Sequence, residues 1–262
     1  MREYSTIRLD HDGGVATLSL HRPEVRNAFS DLMAREIVDV MAGLAEDEPV
    51  RAVILTGSGD AAFCAGADLK EMKARPVSGG DVSWKRRGRG VMLHRCFQSL
   101  RELPKPIVAA VNGYCFGAGL ELMASADLIL ASDRAVFAMP EIDFAIPSIV
   151  EAALLPRMIG ILKARELVMT GDRLSAAEAL AVGLVNRVVP HDQLGRAARD
   201  LARKLAGKSP KAMAVQKDIC NQWLDGDLQS AIQHSIYASA IFTGGTDHME
   251  SLARWEARRR ES

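Results

Sequence analysis

A short apolar run, Ile107 to Val111, leads through Phe116-Gly117-Ala118-Gly119 into a second apolar run, Leu120 to Ala126. The first reads as a strand and the second as a helix, so the chain passes from one to the other through a tight glycine turn. Such units, repeated, point to an α/β core. Gly117 and Gly119 let the backbone bend sharply and approach a ligand closely. The free N–H groups and positive end of the new helix then face whatever lies in front of the turn. Turns of this kind also serve ordinary strand-to-helix packing, so the motif gains weight only from its surroundings. Glu121 stands just beyond the turn, and Glu141, in Met139-Pro140-Glu141-Ile142, follows twenty residues later. A backbone able to hold an oxyanion and a carboxylate pair able to move protons are the two requirements of proton chemistry on a carbonyl compound.

A second turn supports the first. Val53 to Gly57 reads as a buried strand, Ser58 to Cys64 as a loop, and Ala65 to Met72 as a small-residue turn entering a helix. Asp68 with Glu71 three residues on has the form of a capping box. An N–H from this turn, at Ala67, can converge with one at Ala118 to form an oxyanion hole, with small side chains leaving the approach open.

Elsewhere, Ile7–Leu9 and Val15–Leu20 read as a hairpin about Asp12-Gly13-Gly14, and apolar spacing predicts a helix from Ser30 to Leu44. Further strands are expected at Leu128–Ala131 and Ala135–Ala138; beyond Ser148 the pattern is helical except at Arg187-Val188-Val189. Residues 74–91 carry Pro76, Gly79, Gly80, Gly88 and Gly90, which are expected to break any helix, and a basic cluster of Lys85, Arg86, Arg87 and Arg89. Basic and acidic residues balance at 33 each, and no aromatic set accompanies the cluster, which argues against nucleic acid and against an anionic membrane surface. No apolar run approaches the ~18 residues of a membrane span. The N-terminus has no apolar signal core, and the four cysteines (64, 96, 115, 220) have neither metal-ligand spacing nor a secreted framework. A cytoplasmic protein without a metal is expected. The scattered histidines read as solvent-facing or core-satisfied, Cys115 as a small buried residue, and Asp127 as a structural carboxylate.

The strings AGADLKEM (65–72), NGYCFGAGLELMASAD (112–127), MPEI (139–142) and TGDRLSAAEALAVGLVNRVVP (170–190) resemble the enoyl-CoA hydratase (crotonase) family. HRPEVRNAFS (21–30) is similar to that family's first ligand-binding turn, and the likeness covers nearly the whole chain. The resemblance implies an α/β fold with a ββα spiral core over 1–190 and a C-terminal helical trimerisation region over 191–262, in one continuous fold. It implies trimers, paired into hexamers, with the tail helping to close an acyl pocket. It also implies an enoyl-CoA hydratase, with Glu121 as base on the adding water and Glu141 as proton donor to the α-carbon. Ala67 and Ala118 would form the oxyanion hole, although relatives usually carry glycine at the latter position. Coenzyme A, part of the substrate rather than a cofactor, would be held by Arg26, Ala28 and the backbone at Ala65, Asp68 and Leu69, with Gly117 beside the substrate. Trp84 would line the acyl pocket, and the basic cluster would either meet the phosphates or form a solvated surface.

An isomerase, a hydratase of a branched or functionalised acyl-CoA, and a non-catalytic acyl-CoA binder are the alternatives. A pure binder has no use for a carboxylate in an apolar helix, where burial is costly. Where many hydratases have a glycine-rich turn ending in threonine-glutamine-arginine, this chain reads Ala145 to Ala153 and introduces Glu151. Two readings of Glu151 stand: an exposed residue at a helix start, or a third carboxylate near the site.

Overall fold

The computed structural model describes residues 3–74 and 82–261. Strands β1 (Ile7–Asp12) and β2 (Val15–Leu20) form the expected antiparallel hairpin. A 3₁₀ turn and helix α1 (Asp31–Glu46) follow, and Ser30 accepts the Met33 N–H as its N-cap. The next stretches repeat one theme: β3 (Ala52–Gly57), β4 (Ala62–Cys64), the short α2 (Leu69–Lys73) and α3 (Val82–Glu102); then β5 (Ile107–Val111), β6 (Tyr114–Phe116) and α4 (Ala118–Ala124). After β7 (Leu128–Ser132) and β8 (Val136–Ala138) come two 3₁₀ turns, Pro140–Phe144 and Val150–Leu154. The chain continues through α5 (Leu155–Ile159), α6 (Ile161–Thr170), β9 (Arg173–Ser175), α7 (Ala176–Ala181) and β10 (Arg187–Val189). Four helices close it: α8 (Leu194–Ala206), α9 (Pro210–Asp225), α10 (Leu228–Phe242) and α11 (Thr246–Glu261). Among the described residues, no helix is long and apolar enough to cross a membrane.

Each repeat sends one strand to a six-stranded sheet, in the order β1-β2-β3-β5-β7-β10, and a shorter one to a four-stranded sheet, β4-β6-β8-β9. Within the larger sheet every pair beyond the hairpin is parallel. Such strands are buried on both faces and read as continuous apolar runs. Val53, Leu55, Ile107, Ala109, Val111 and Ile129 face the main core with α1 and α3. Their neighbours Ala52, Ile54, Val108, Ala110 and Leu130 face α8 through Leu194, Ala198 and Ala202. The alternation is the period of two that a strand imposes. The first helix beyond residue 190 thus belongs to the packing of the sheet.

Three strands lie where the sequence reading had a loop, a turn or helix: β4 inside Ser58 to Cys64, β6 ahead of Gly117, and β9 after Thr170. Each is three residues long, too short to display a period, and is defined by its partner strand. Residues 82–102 are also a correction: α3 runs straight through Gly88 and Gly90. Its Leu93, Cys96, Phe97 and Leu100 are buried in the main core. The larger of these contribute about 1.5–3 kcal/mol each, which outweighs two helical glycines at about 1 kcal/mol each. Phe97 stacks on Phe29 with ring centroids 5.6 Å apart. Arg89 of the basic cluster pairs with Asp31 at 3.0 Å, tying α3 to the start of α1. The readings placed on residues 75–81 and on the side chains of Trp84, Lys85 and Arg86 lie outside the described residues.

The last two helices bury little. On α10 Ala231 is buried, while Leu228 (79% exposed), Tyr237 (70%) and Ile241 (78%), with Trp255 (54%) on α11, present apolar surface outward.

Candidate active site

The two turns that end β4 and β6 meet across one cleft. Phe29 pairs with Ala67: the Phe29 N–H donates to Gly66 O at 2.8 Å and the Asp68 N–H to Phe29 O at 2.9 Å. These bonds pin the 65–68 turn against the 26–29 turn. Arg22 reinforces them, donating to the Ala28 carbonyl at 2.7 Å and to the Asp68 carboxylate at 2.8 Å. Asp68 also caps α2 through the N–H groups of Lys70 and Glu71, and hydrogen bonding and Arg22 hold its carboxyl below the usual range against its desolvation. Glu71, its expected partner in a capping box, accepts the Asp31 N–H at 3.1 Å. Arg26 and Asn27 take left-handed conformations, and the Arg26 guanidinium lies 5.7 Å from the Tyr114 ring centroid.

The cleft has a volume of about 340 Å³, and Ala65, Ala67, Leu69, Gly117 and Glu141 of the expected site line it. Ala118 and Glu121, 6% and 4% exposed, stand in the first turn of α4, directly after the lining Gly117. Among the described residues, neither the Ala67 nor the Ala118 N–H has a hydrogen-bond partner. Arg26, Ala28 and Asp68 of the expected coenzyme A set are not among the residues that line this cleft. The Ala28 N–H donates to Val25 and the Asp68 N–H to Phe29, while the Asp68 carbonyl accepts from Met72. The Ala65 N–H is engaged with Arg26 O. A committed N–H cannot serve a ligand without breaking its bond, so what Ala65 offers the cleft is its carbonyl edge.

The carboxylates are built by their elements. Glu121 sits in the first turn of α4, whose N-cap Gly117 has φ 49°. Glu141 leaves β8 on the 3₁₀ turn that begins at Pro140, and its Oε1 comes so close to Gly117 that an added Cβ there would stand 2.2 Å away. Only glycine leaves that space and also tolerates that backbone. Gly119 is fixed by a similar approach: an added Cβ would stand 2.6 Å from the Cys64 Cβ, so α4 rests directly on β4. Burial pushes the Glu121 carboxyl well above its ordinary range, the charges of Glu141 and Glu151 push it further, and the Ala152 N–H on Oε1 at 3.1 Å pulls it down. Burial also raises Glu141, whose Oε2 is buried with no partner among the described residues.

Glu151 is not the exposed helix-start residue of the first sequence reading. It is 4% exposed, and the His94 Nδ1–H donates to its Oε1 at 2.7 Å. Burial raises its carboxyl, and the hydrogen bond and charge of His94 and the charge of Arg101 oppose the rise. The sequence reading passed over His94 because nothing local marks it; its partner lies 57 positions away. Ala145 and Val150 adopt φ values of 55° and 49°, in the left-handed region that favours glycine. The segment therefore keeps a glycine-like path without glycine, which is strained for a β-branched valine.

The enoyl-CoA hydratase/isomerase family profile matches residues 10–260. The chain belongs to the enoyl-CoA hydratase/isomerase family. It is 35% identical to the short-chain-enoyl-CoA hydratase of Clostridium acetobutylicum, over 88% of this chain and 86% of that protein. It is 37% identical to the carnitinyl-CoA dehydratase of Proteus mirabilis, over 82% of this chain and 79% of that protein. The crystal structure of enoyl-CoA hydratase from Bacillus anthracis superposes with a TM-score of 0.90 at 32% identity, covering 97% of each chain. The paired sheets and repeated strand–strand–helix units are therefore the crotonase-type spiral of this enoyl-CoA hydratase/isomerase member.

Proposed function

We propose that the protein is an enoyl-CoA hydratase that adds water reversibly across the 2,3-double bond of an enoyl-CoA thioester to give a 3-hydroxyacyl-CoA. One observation carries the reading: the buried Glu121 and the half-buried Glu141 are close enough for the charge of Glu141 to bear on Glu121, with Glu141 Oε1 crowding the N-cap Gly117 of the helix that carries Glu121, and burial raises both carboxyls. Ionising both would place two poorly screened charges together, which favours the state with one proton between them. One donor and one acceptor is what hydration requires. The water oxygen bonds C3 while Glu121 takes its proton, the π electrons move onto the thioester oxygen, and Glu141 then delivers its proton to C2. Hydration starts with Glu121 ionised and the proton on Glu141. The N–H groups of Ala67 and Ala118 face the enolate oxygen, where charge develops only in the transition state. Coenzyme A lies along the Ala65 and Leu69 edge and needs no further cofactor.

The carnitinyl-CoA dehydratase relative and two charged lining residues, Asp143 and Arg173, favour a functionalised acyl group as a second reading. Trimers, paired into hexamers, are the proposed assembly, the apolar faces of α10 and α11 within the 191–262 region joining the 1–190 cores. The buried free thiols of Cys64, Cys96 and Cys115 suit a reducing cytoplasm.

Loss of the conjugated-thioester absorbance across a panel of enoyl-CoAs tests the reading. Glu121→Gln and Glu141→Gln should each lower kcat by roughly 10²–10⁴-fold, the usual contribution of a positioned proton-transfer group, with coenzyme A affinity nearly intact. Parent-like turnover in either variant would make that glutamate structural.

A further inference from the structure

Behind the Glu121 carboxylate lies a buried glutamate with a half-exposed histidine partner, a pair that hydration as described does not use. Glu151 enters the interior from the 3₁₀ turn Val150–Leu154, and His94 reaches it from α3 at 2.7 Å. The His94 side chain is 51% exposed and that of Glu151 only 3%. The second oxygen of Glu151 is buried without a partner among the described residues. The residue before it, Val150, is held at φ 49°, and the residue after it, Ala152, gives its N–H to Glu121 Oε1 at 3.1 Å. A strained β-branched residue persists only where the surroundings over-determine it. Here the strained stretch ends in a bond to the proposed base.

We propose that Glu151, anchored by His94, is a positioning residue for Glu121: it fixes that carboxylate through the Ala152 N–H and keeps a negative charge behind it. The proposal rests on the hydratase reading given above. Its logic is that of general-base catalysis. A carboxylate must take a proton from water, and an anion behind it strengthens its hold on that proton. The charged and titratable groups bearing on Glu151 are His94, Arg101 and Cys96 on α3 and Glu121 on α4; those bearing on Glu121 are Glu141 and Glu151. His94 and Arg101 favour the ionised form of Glu151, and Glu151 in turn raises Glu121.

The experiment is a pH profile of crotonyl-CoA hydration for the parent, Glu151→Gln and Glu151→Asp, each first shown to be folded by circular dichroism. No hydration of any enoyl-CoA by the parent would sink the hydratase reading itself, so the two failures are distinguishable. With an active parent, Glu151→Gln should lower kcat about tenfold, a fraction of what a general base supplies, with KM within about twofold. Its acidic limb in kcat/KM should move to lower pH by roughly one unit, because Glu121 loses a neighbouring negative charge. Glu151→Asp keeps the charge and should keep the parent limb even if kcat falls. A Glu151→Gln variant with the parent's kcat and limb would overturn the proposal, as would an identical limb shift in both variants. Should Glu151→Gln fail to fold, His94→Leu at the half-exposed position is decisive. Releasing the Glu151 carboxylate should lower kcat severalfold at unchanged KM, and parent kcat would overturn the proposal.

Discussion

Glu121 carries the largest unfavourable electrostatic burden of the proposed catalytic groups, and its stability should record it. Its carboxyl is raised well above the ordinary glutamate range, first by burial and then by Glu141. A carboxyl raised in the folded state confers stability below its unfolded value, and that stability is lost as pH climbs through the folded value. Glu121→Gln removes the ionisation while keeping the shape. The variant's melting temperature should therefore exceed the parent's by a widening margin above about pH 5, reaching a few degrees near neutrality. Parallel melting curves across pH would mean that the native carboxyl titrates like an unfolded one. The residue scale is also where the sequence was most informative. Glu121, Glu141, Ala67, Ala118 and Gly117 stand out as candidates because glycine turns and isolated carboxylates in apolar runs are chemically unusual. His94 and the burial of Glu151 were not legible, since a contact spanning 57 positions leaves no local trace.

At the scale of elements, α4 is only seven residues long, yet it presents one proposed oxyanion donor and the proposed base. Ala118 is its first helical residue, the position where proline is best tolerated, because the N–H is unused by the helix. Ala118→Pro should therefore fold, as circular dichroism can verify, and lose roughly 10²–10³-fold in kcat with the deleted N–H. Ala118→Gly keeps that donor and should change kcat little. A folded proline variant with normal turnover would show that this N–H points away from the thioester oxygen. Long elements were predicted well: β5 spans Ile107–Val111, the range expected, and α1 begins beside the expected Ser30. The short strands β4, β6 and β9 escaped because three residues carry no periodicity, and α3 escaped because its glycines were weighed without the core it packs on.

For the whole molecule, the question is what covers α10 and α11. Leu228, Ile236, Tyr237 and Ile241 on α10 are each more than half exposed, as are Met249 and Trp255 on α11. Large apolar side chains exposed in such number on two helices are characteristic of an interface. Truncation after Asp225 should dissociate the proposed trimer and weaken acyl-CoA binding, which light scattering and a binding titration can read. A stable monomer of the full-length protein at about micromolar concentration would defeat the assembly and leave the chemistry resting on the two glutamates. In a trimer, the removed faces should account for a large drop in apparent mass rather than a small change in shape.

The sequence by itself determined the α/β class, the hairpin, the long strands, the two turns that line the cleft and the placing of two glutamates beside them. Each of these is encoded within a few neighbouring residues, by apolar period, glycine placement or an acid in an apolar run. Only the tertiary structure decided the second sheet, the path of α3, the inward commitment of Asp68 to Arg22, and the seating of Glu151 on His94. Those features depend on which distant segments meet, and a buried charge or a three-residue strand acquires its meaning only from the partner that satisfies its hydrogen bonds.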